Sequence, residues 1–119
     1  MELKKITDNF TVSPQITTAD LAGIKDAGVR AIICNRPDGE GADQPSFEEI
    51  EAAAKAMGIT ARYVPVQAGM VKDNDVEAFG AALKELPRPV HAYCRTGTRS
   101  ATLWSFHESK NRPMPQILA

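Results

Sequence analysis

Six consecutive residues, Cys94-Arg95-Thr96-Gly97-Thr98-Arg99, hold the groups needed to make a thiol nucleophilic and to keep an anion beside it. They follow an apolar strand-like run and precede a helix-like one, so Cys94 heads a strand-to-helix turn. In such a turn the backbone N–H groups point inward, and the helix adds the positive end of its dipole. Gly97 permits the turn and leaves room for a ligand. Arg99 offers a planar two-pronged donor to an oxyanion, and Arg95, Thr96 and Thr98 add further donors for an anionic substrate. A thiol in that field is expected to ionise below the ordinary cysteine value of about 8.5. Ser100 is placed to donate a hydrogen bond to the thiolate or to help neutralise it as a leaving group. The chemistry this implies is nucleophilic attack by Cys94 through a covalent intermediate.

The competing reading, a buried cysteine followed by a basic turn, fits poorly, because two arginines and a glycine are unsuited to a core. Cys34 is different. It also ends a strand, and a small buried core residue is the simpler reading, with a resolving thiol as the alternative. His91 shares a strand face with Tyr93, opposite Cys94, and reads as structural. Trp104 and Phe106 read as packing residues. The two cysteines and two histidines are scattered without metal-ligand spacing, and no cofactor is implied.

The elements that position this turn alternate between strand and helix. Lys4 to Thr7 and Phe10 to Ser13 flank Asp8-Asn9 as a hairpin. Thr17 or Thr18 caps a helix carrying Leu21, Ile24 and Ala27, which ends at Gly28. Val29 to Cys34 is a buried strand, followed by the loop 35–41. Ser46 and Glu49 form a capping box for a helix carrying Phe47, Ile50, Ala54 and Met57, with Gly58 ending it. Thr60 to Val66 is the next strand. Asp73 caps a helix carrying Val76, Phe79, Leu83 and Leu86, and Pro87 stops it. Pro89 to Tyr93 is the strand before Cys94, and a last helix runs from about Ser100 to Lys110.

This alternation with short links predicts an α/β fold, a mainly parallel sheet covered on both faces. Ligands bind such sheets beyond the carboxyl ends of the strands. The loops after Cys34, after Val66 and after Tyr93 should meet there. The segment 113–119 resembles the opening of a further helix, as in a family variant or a domain cut from a longer protein.

The chain has 119 residues, enough for one domain (1–119) with a real core. Its net charge of −1, with acids and bases scattered, argues against nucleic-acid and membrane-surface roles. No segment has the apolar length of a leader or a membrane span. Two cysteines make no disulfide framework, so a reducing cytoplasm is expected.

Three segments carry a resemblance: 10–16 (FTVSPQI), 33–38 (ICNRPD) and 93–100 (YCRTGTRS). Together they resemble the phosphatase-like domain of β-lactamase-hydrolase-like proteins, a bacterial family similar in fold to protein tyrosine and dual-specificity phosphatases. The resemblance implies a domain that stands alone or is fused to a persulfide dioxygenase-like or flavin-dependent oxidoreductase domain. Members are variously called phosphatases or sulfur transferases. It also brings Arg36 and Asp38 forward as substrate-binding candidates.

Two departures bear on the chemistry. Tyrosine phosphatases place five residues between cysteine and arginine, and here there are four, with Tyr93 in place of the preceding histidine. The six-residue loop resembles the Cys-Arg-x-Gly-x-Arg motif of rhodanese-like sulfurtransferases. The loop after Val66 also lacks the aspartate that would protonate a leaving alkoxide, whereas a leaving thiolate needs no such acid. The expectation is therefore a phosphatase-like fold with rhodanese-type transfer of sulfur from thiosulfate or a persulfide to a thiol acceptor. In that reading Arg95 or Arg99 binds the donor. The alternatives are phosphomonoester hydrolysis through a phosphocysteine and, third, a non-catalytic anion-binding module.

Overall fold

The N-terminal segments pair as the sequence predicts. Strands β1 (Lys4–Thr7) and β2 (Phe10–Ser13) form an antiparallel hairpin around Asp8-Asn9. The structure, a computed structural model, describes residues 3–110. A 3-10 turn (Thr18–Asp20) leads into α1 (Leu21–Asp26), and the carboxylate of Asp20 accepts the Thr17 N–H at 2.8 Å. Then follow β3 (Ala31–Cys34), α2 (Phe47–Ala56), β4 (Thr60–Tyr63), α3 (Asp73–Glu85), β5 (Val90–Tyr93) and α4 (Thr98–Lys110).

The sheet order is β1-β2-β5-β3-β4, and β2, β5, β3 and β4 run parallel. The expected mainly parallel α/β fold is thus observed. Strand β5 lies in the middle, with Ser13 of β2 and Cys34 of β3 both in register with Tyr93. The strand ends align, and the chain leaves the centre of that edge at Cys94.

Alternation along each strand sorts the apolar residues onto two faces. Phe10, Val12, Ile33, Val90 and Ala92 pack with Val76 and Phe79 of α3 and Leu103 of α4. Ile32, Cys34 and Tyr93 pack on the opposite face with Leu21, Ile24, Ile50 and Ala54 of α1 and α2. Each large buried side chain contributes about 1.5–3 kcal/mol. Trp104 stacks on Phe10 at 6.1 Å between centroids, so its expected packing role is observed.

Several boundaries differ from expectation, β3 beginning at Ala31 rather than Val29 and β5 at Val90 rather than Pro89. Strand β4 ends at Tyr63 rather than Val66: the Val64 and Val66 N–H groups still donate to the Cys34 and Asn35 carbonyls, but the Val64 carbonyl accepts from the Asn35 side chain, so the regular ladder stops. Lys72 is the cap of α3, and Asp75 rather than Asp73 supplies the carboxylate that accepts the cap N–H, at 2.9 Å. Helix α4 begins at Thr98, not Ser100. The segment 113–119 lies outside the described residues. No helix among those described is long and apolar enough to cross a membrane.

Candidate active site

The early start of α4 shapes the site. Arg99 falls in the first helical turn, leaving Cys94 to Gly97 to turn the chain from β5 into α4. Gly97 has φ of +92°, and a Cβ there would lie 3.3 Å from the Ser13 carbonyl, so a side chain would be strained in conformation and tight against that carbonyl. Its N–H donates to Cys94 Sγ at 3.0 Å. The Gln15 N–H donates to the Arg95 carbonyl at 3.4 Å, which ties the turn to the chain leaving β2.

Arg99 is held by two acceptors. Its Nη1 donates to Glu40 Oε2 at 2.9 Å and to the Val66 carbonyl at 2.8 Å, and its Nη2 donates to Glu40 Oε1 at 2.7 Å. A guanidinium has five N–H donors. Three are spent here, leaving Nε–H and the second Nη2–H, a complete two-pronged edge. The Cys94 thiol interacts with this guanidinium. Glu40 also accepts from Arg36 Nε at 3.0 Å, and Arg36 Nη1 donates to Gln15 Oε1 at 3.2 Å. Arg99, then Arg36, hold the Glu40 carboxyl below the usual carboxylate range.

Arg36, Glu40 and Arg99 line a cleft of about 930 Å³ at the carboxyl edge of the sheet. The loop after β3 brings Arg36 and Glu40, the loop after β4 brings Ala68 and Val71, and the turn itself brings Arg95, Thr96, Thr98 and Arg99. The three loops meet as expected. Glu40 is not among the sequence candidates, because the carboxylate expected of a phosphatase lies on the loop after β4. Its spacing of four residues from Arg36 was the available signal.

Other expectations need correction. Asn35 Nδ2 donates to the Val64 carbonyl at 2.9 Å, so its Oδ1 faces Ser100 and accepts the hydroxyl proton at 2.8 Å. The Ser100 proton expected on the thiolate is therefore committed to Asn35. Asp38 does not line the cleft. Its carboxylate caps α2 by accepting the Phe47 N–H at 2.8 Å, and its own N–H donates to the Tyr63 hydroxyl at 2.9 Å. Phe106, expected in packing, is 50% exposed and forms part of the cleft wall.

Cys34 and His91 occupy structural positions. The Cys34 thiol is buried, donates to the Arg36 carbonyl at 3.3 Å, and has its pKa pushed up by burial. Beside it lies the buried Tyr93 hydroxyl, which has no hydrogen bond of good geometry among the described residues. His91 lies between Ser13 and Thr11, at 2.8 and 2.7 Å. The Ser13 hydroxyl donates to the Pro14 carbonyl, so it accepts from Nε2–H, and Nδ1 accepts from Thr11. Burial lowers the His91 pKa to about 4, so the ring is neutral at physiological pH.

A parallel sheet with a cysteine-headed turn entering a helix at its central strand defines the protein tyrosine and dual-specificity phosphatase-like fold. The catalytic core of the S. cerevisiae PP-IP phosphatase SIW14 has this fold, with a TM-score of 0.65 at 12% identity over 97% of this chain and 70% of that one. The chain belongs to the family described as beta-lactamase hydrolase-like protein, phosphatase-like domain, which it matches over residues 2–111. It is 33% identical to a beta-lactamase hydrolase-like protein of Agrobacterium fabrum over 92% of its own length and 25% of the relative's. The chain thus spans about a quarter of the curated relatives it matches. A structure from Neisseria meningitidis, described as a candidate phosphatase, is 39% identical with a TM-score of 0.83, covering 95% of this chain and 81% of that one. The expected family resemblance is confirmed. These comparisons favour the phosphatase side of the functional expectation, and rhodanese-type transfer draws no support from them.

Proposed function

We propose that this chain is a cysteine-dependent phosphomonoester hydrolase with Cys94 as nucleophile. One observation carries the reading: Glu40 and the Val66 carbonyl consume three Arg99 donors and leave the two-pronged edge available beside the thiol. Two phosphoryl oxygens fit such an edge, and the positive end of α4 supports the remaining charge. The Cys94 thiolate attacks phosphorus, the ester P–O bond breaks, and the leaving oxygen takes a proton from water. Water then cleaves the S–P bond, releasing phosphate and restoring the thiolate. Glu40 is the one carboxylate of a described residue lining the cleft, and its arginine partners keep it ionised. It is a poor proton donor, so the reaction favours esters with good leaving groups.

A second reading, sulfur transfer through a Cys94 persulfide, rests on the spacing of four residues between Cys94 and Arg99. Parallel assays of 4-nitrophenyl phosphate hydrolysis and thiosulfate-to-cyanide sulfur transfer separate the two. The hydrolase reading expects phosphate release that is lost in Cys94→Ser, by on the order of a thousandfold or more. Turnover of thiosulfate with no phosphate release would replace it with the second reading.

A further inference from the structure

The arginines of the cleft are not equally engaged. Arg36 and Arg99 share the Glu40 carboxylate and take further acceptors from Gln15 and Val66. Arg95 lines the same cleft and is exposed, and its side chain has no hydrogen bond or ion pair among the described residues. Its backbone is nevertheless held, because its carbonyl accepts the Gln15 N–H. The neighbouring threonines do not occupy it: Thr96 Oγ1 donates to Thr98 Oγ1 at 3.1 Å. Three arginines face one carboxylate in this cleft, an excess of two positive charges in a chain whose net charge is −1.

An arginine with an anchored backbone and an uncommitted head, beside an anion site that already has its own arginine, can engage a second anion. The lining of the same cleft also includes apolar side chains, Ala68, Val71 and Phe106. We propose that Arg95 forms a second anion subsite and that the preferred substrates are phosphomonoesters whose leaving group combines an apolar body with a further negative group. This rests on the hydrolase reading for turnover, though not for binding. The esterified phosphoryl group meets Arg99 and the Cys94 turn, the apolar body lies along Val71 and Phe106, and the second anion meets Arg95. Because Arg95 is exposed, its attraction is screened by salt.

The test uses pairs of equal shape, 3- and 4-carboxyphenyl phosphate against the corresponding carbamoylphenyl phosphates. The wild type should show kcat/KM about fivefold higher for at least one carboxylate ester than for its amide partner, the scale of one partly exposed charge pair. That ratio should fall towards one in Arg95→Ala, invert in Arg95→Glu, and shrink as sodium chloride is raised. Titration of the Cys94→Ser protein with the same esters reads binding without turnover. If no ester is hydrolysed yet the carboxylate esters bind about fivefold tighter in an Arg95-dependent way, the hydrolase reading falls and the subsite stands. If the ratios lie within about twofold of one and Arg95→Ala leaves them unchanged, the subsite is overturned even though hydrolysis occurs. Absence of binding by every ester at millimolar concentration overturns both.

Discussion

Glu40 grips Arg99 through two hydrogen bonds of 2.7 and 2.9 Å across 59 positions of sequence, and so decides which edge of the guanidinium a ligand can meet. The same carboxylate holds Arg36, making one acid the hub of two arginines from different elements. Glu40→Gln keeps the shape and removes the charge. It should lower kcat/KM for an aryl phosphate by about tenfold or more, because Arg99 loses the partner that fixes its orientation.

The same pair has a pH signature. The folded pKa of Glu40 is lowered, so its contribution is fully present above the unfolded carboxyl value of about 4.3 and is lost as pH falls through the folded value. With the Glu40 side chain 25% exposed, solvent screening places its worth near the lower end of about 1.5–3 kcal/mol. Urea unfolding of wild type and Glu40→Gln should differ at pH 7, and the difference should shrink as pH is taken below the unfolded carboxyl value and through the lower folded one. An unchanged difference over that range would show that charge is not what Glu40 supplies.

Gly97→Ala tests the turn itself. The methyl group meets the Ser13 carbonyl at 3.3 Å, and φ of +92° is strained for alanine. A loss of about 1–3 kcal/mol is expected, and activity should fall further than stability, since Gly97 N–H points at Cys94 Sγ. Thermal unfolding and kinetics on one preparation measure both. Normal activity in a stable variant would show that the turn tolerates displacement.

His91 should make the fold sensitive to mild acid. Its folded pKa of about 4 lies below the unfolded value of about 6.5, so the unfolded chain binds the extra proton between them. Stability is therefore full above about pH 6.5 and declines as pH falls towards 4, by on the order of 3 kcal/mol. Urea midpoints from pH 7.5 to 4.5 should fall in the wild type and flatten in His91→Gln. Parallel slopes in the two proteins would assign the acid sensitivity elsewhere.

Alkylation should separate the two thiols. Burial raises the Cys34 pKa, and its S–H is held by the Arg36 carbonyl. Cys94 instead accepts the Gly97 N–H and adjoins Arg99. Iodoacetamide at pH 7 should label Cys94 first, as read by mass spectrometry of partially modified protein. Earlier labelling of Cys34 would reverse the assignment of the reactive cysteine.

Much of the fold was legible because it depends on neighbours in sequence. The hairpin around Asp8-Asn9, the Ser46–Glu49 cap and the glycine ends at Gly28 and Gly58 are local, and each is observed. The continuous apolar run that ends at Cys34 also signalled a strand covered on both faces. Phe106 departs from its expected packing role because apolar character alone does not say which side of α4 meets the core, and α4 packs through Leu103 and Trp104 instead.

What the residues determined alone was the Cys94 turn: a cysteine, a glycine and an arginine within six positions impose their own geometry. The tertiary structure decided what surrounds it. Asp38 and Glu40 lie two residues apart on one loop, yet Asp38 caps α2 while Glu40 reaches Arg99. Ser100 lies next to Arg99, yet its hydroxyl belongs to Asn35. No spacing rule separates these cases, because Glu40 and Arg99, like Asn35 and Ser100, come from different strand ends. The order β2-β5-β3-β4 sets which ends meet. Short-range sterics and capping act within a turn or two of sequence, whereas hydrogen bonds and ion pairs between loops exist only after the sheet has aligned them.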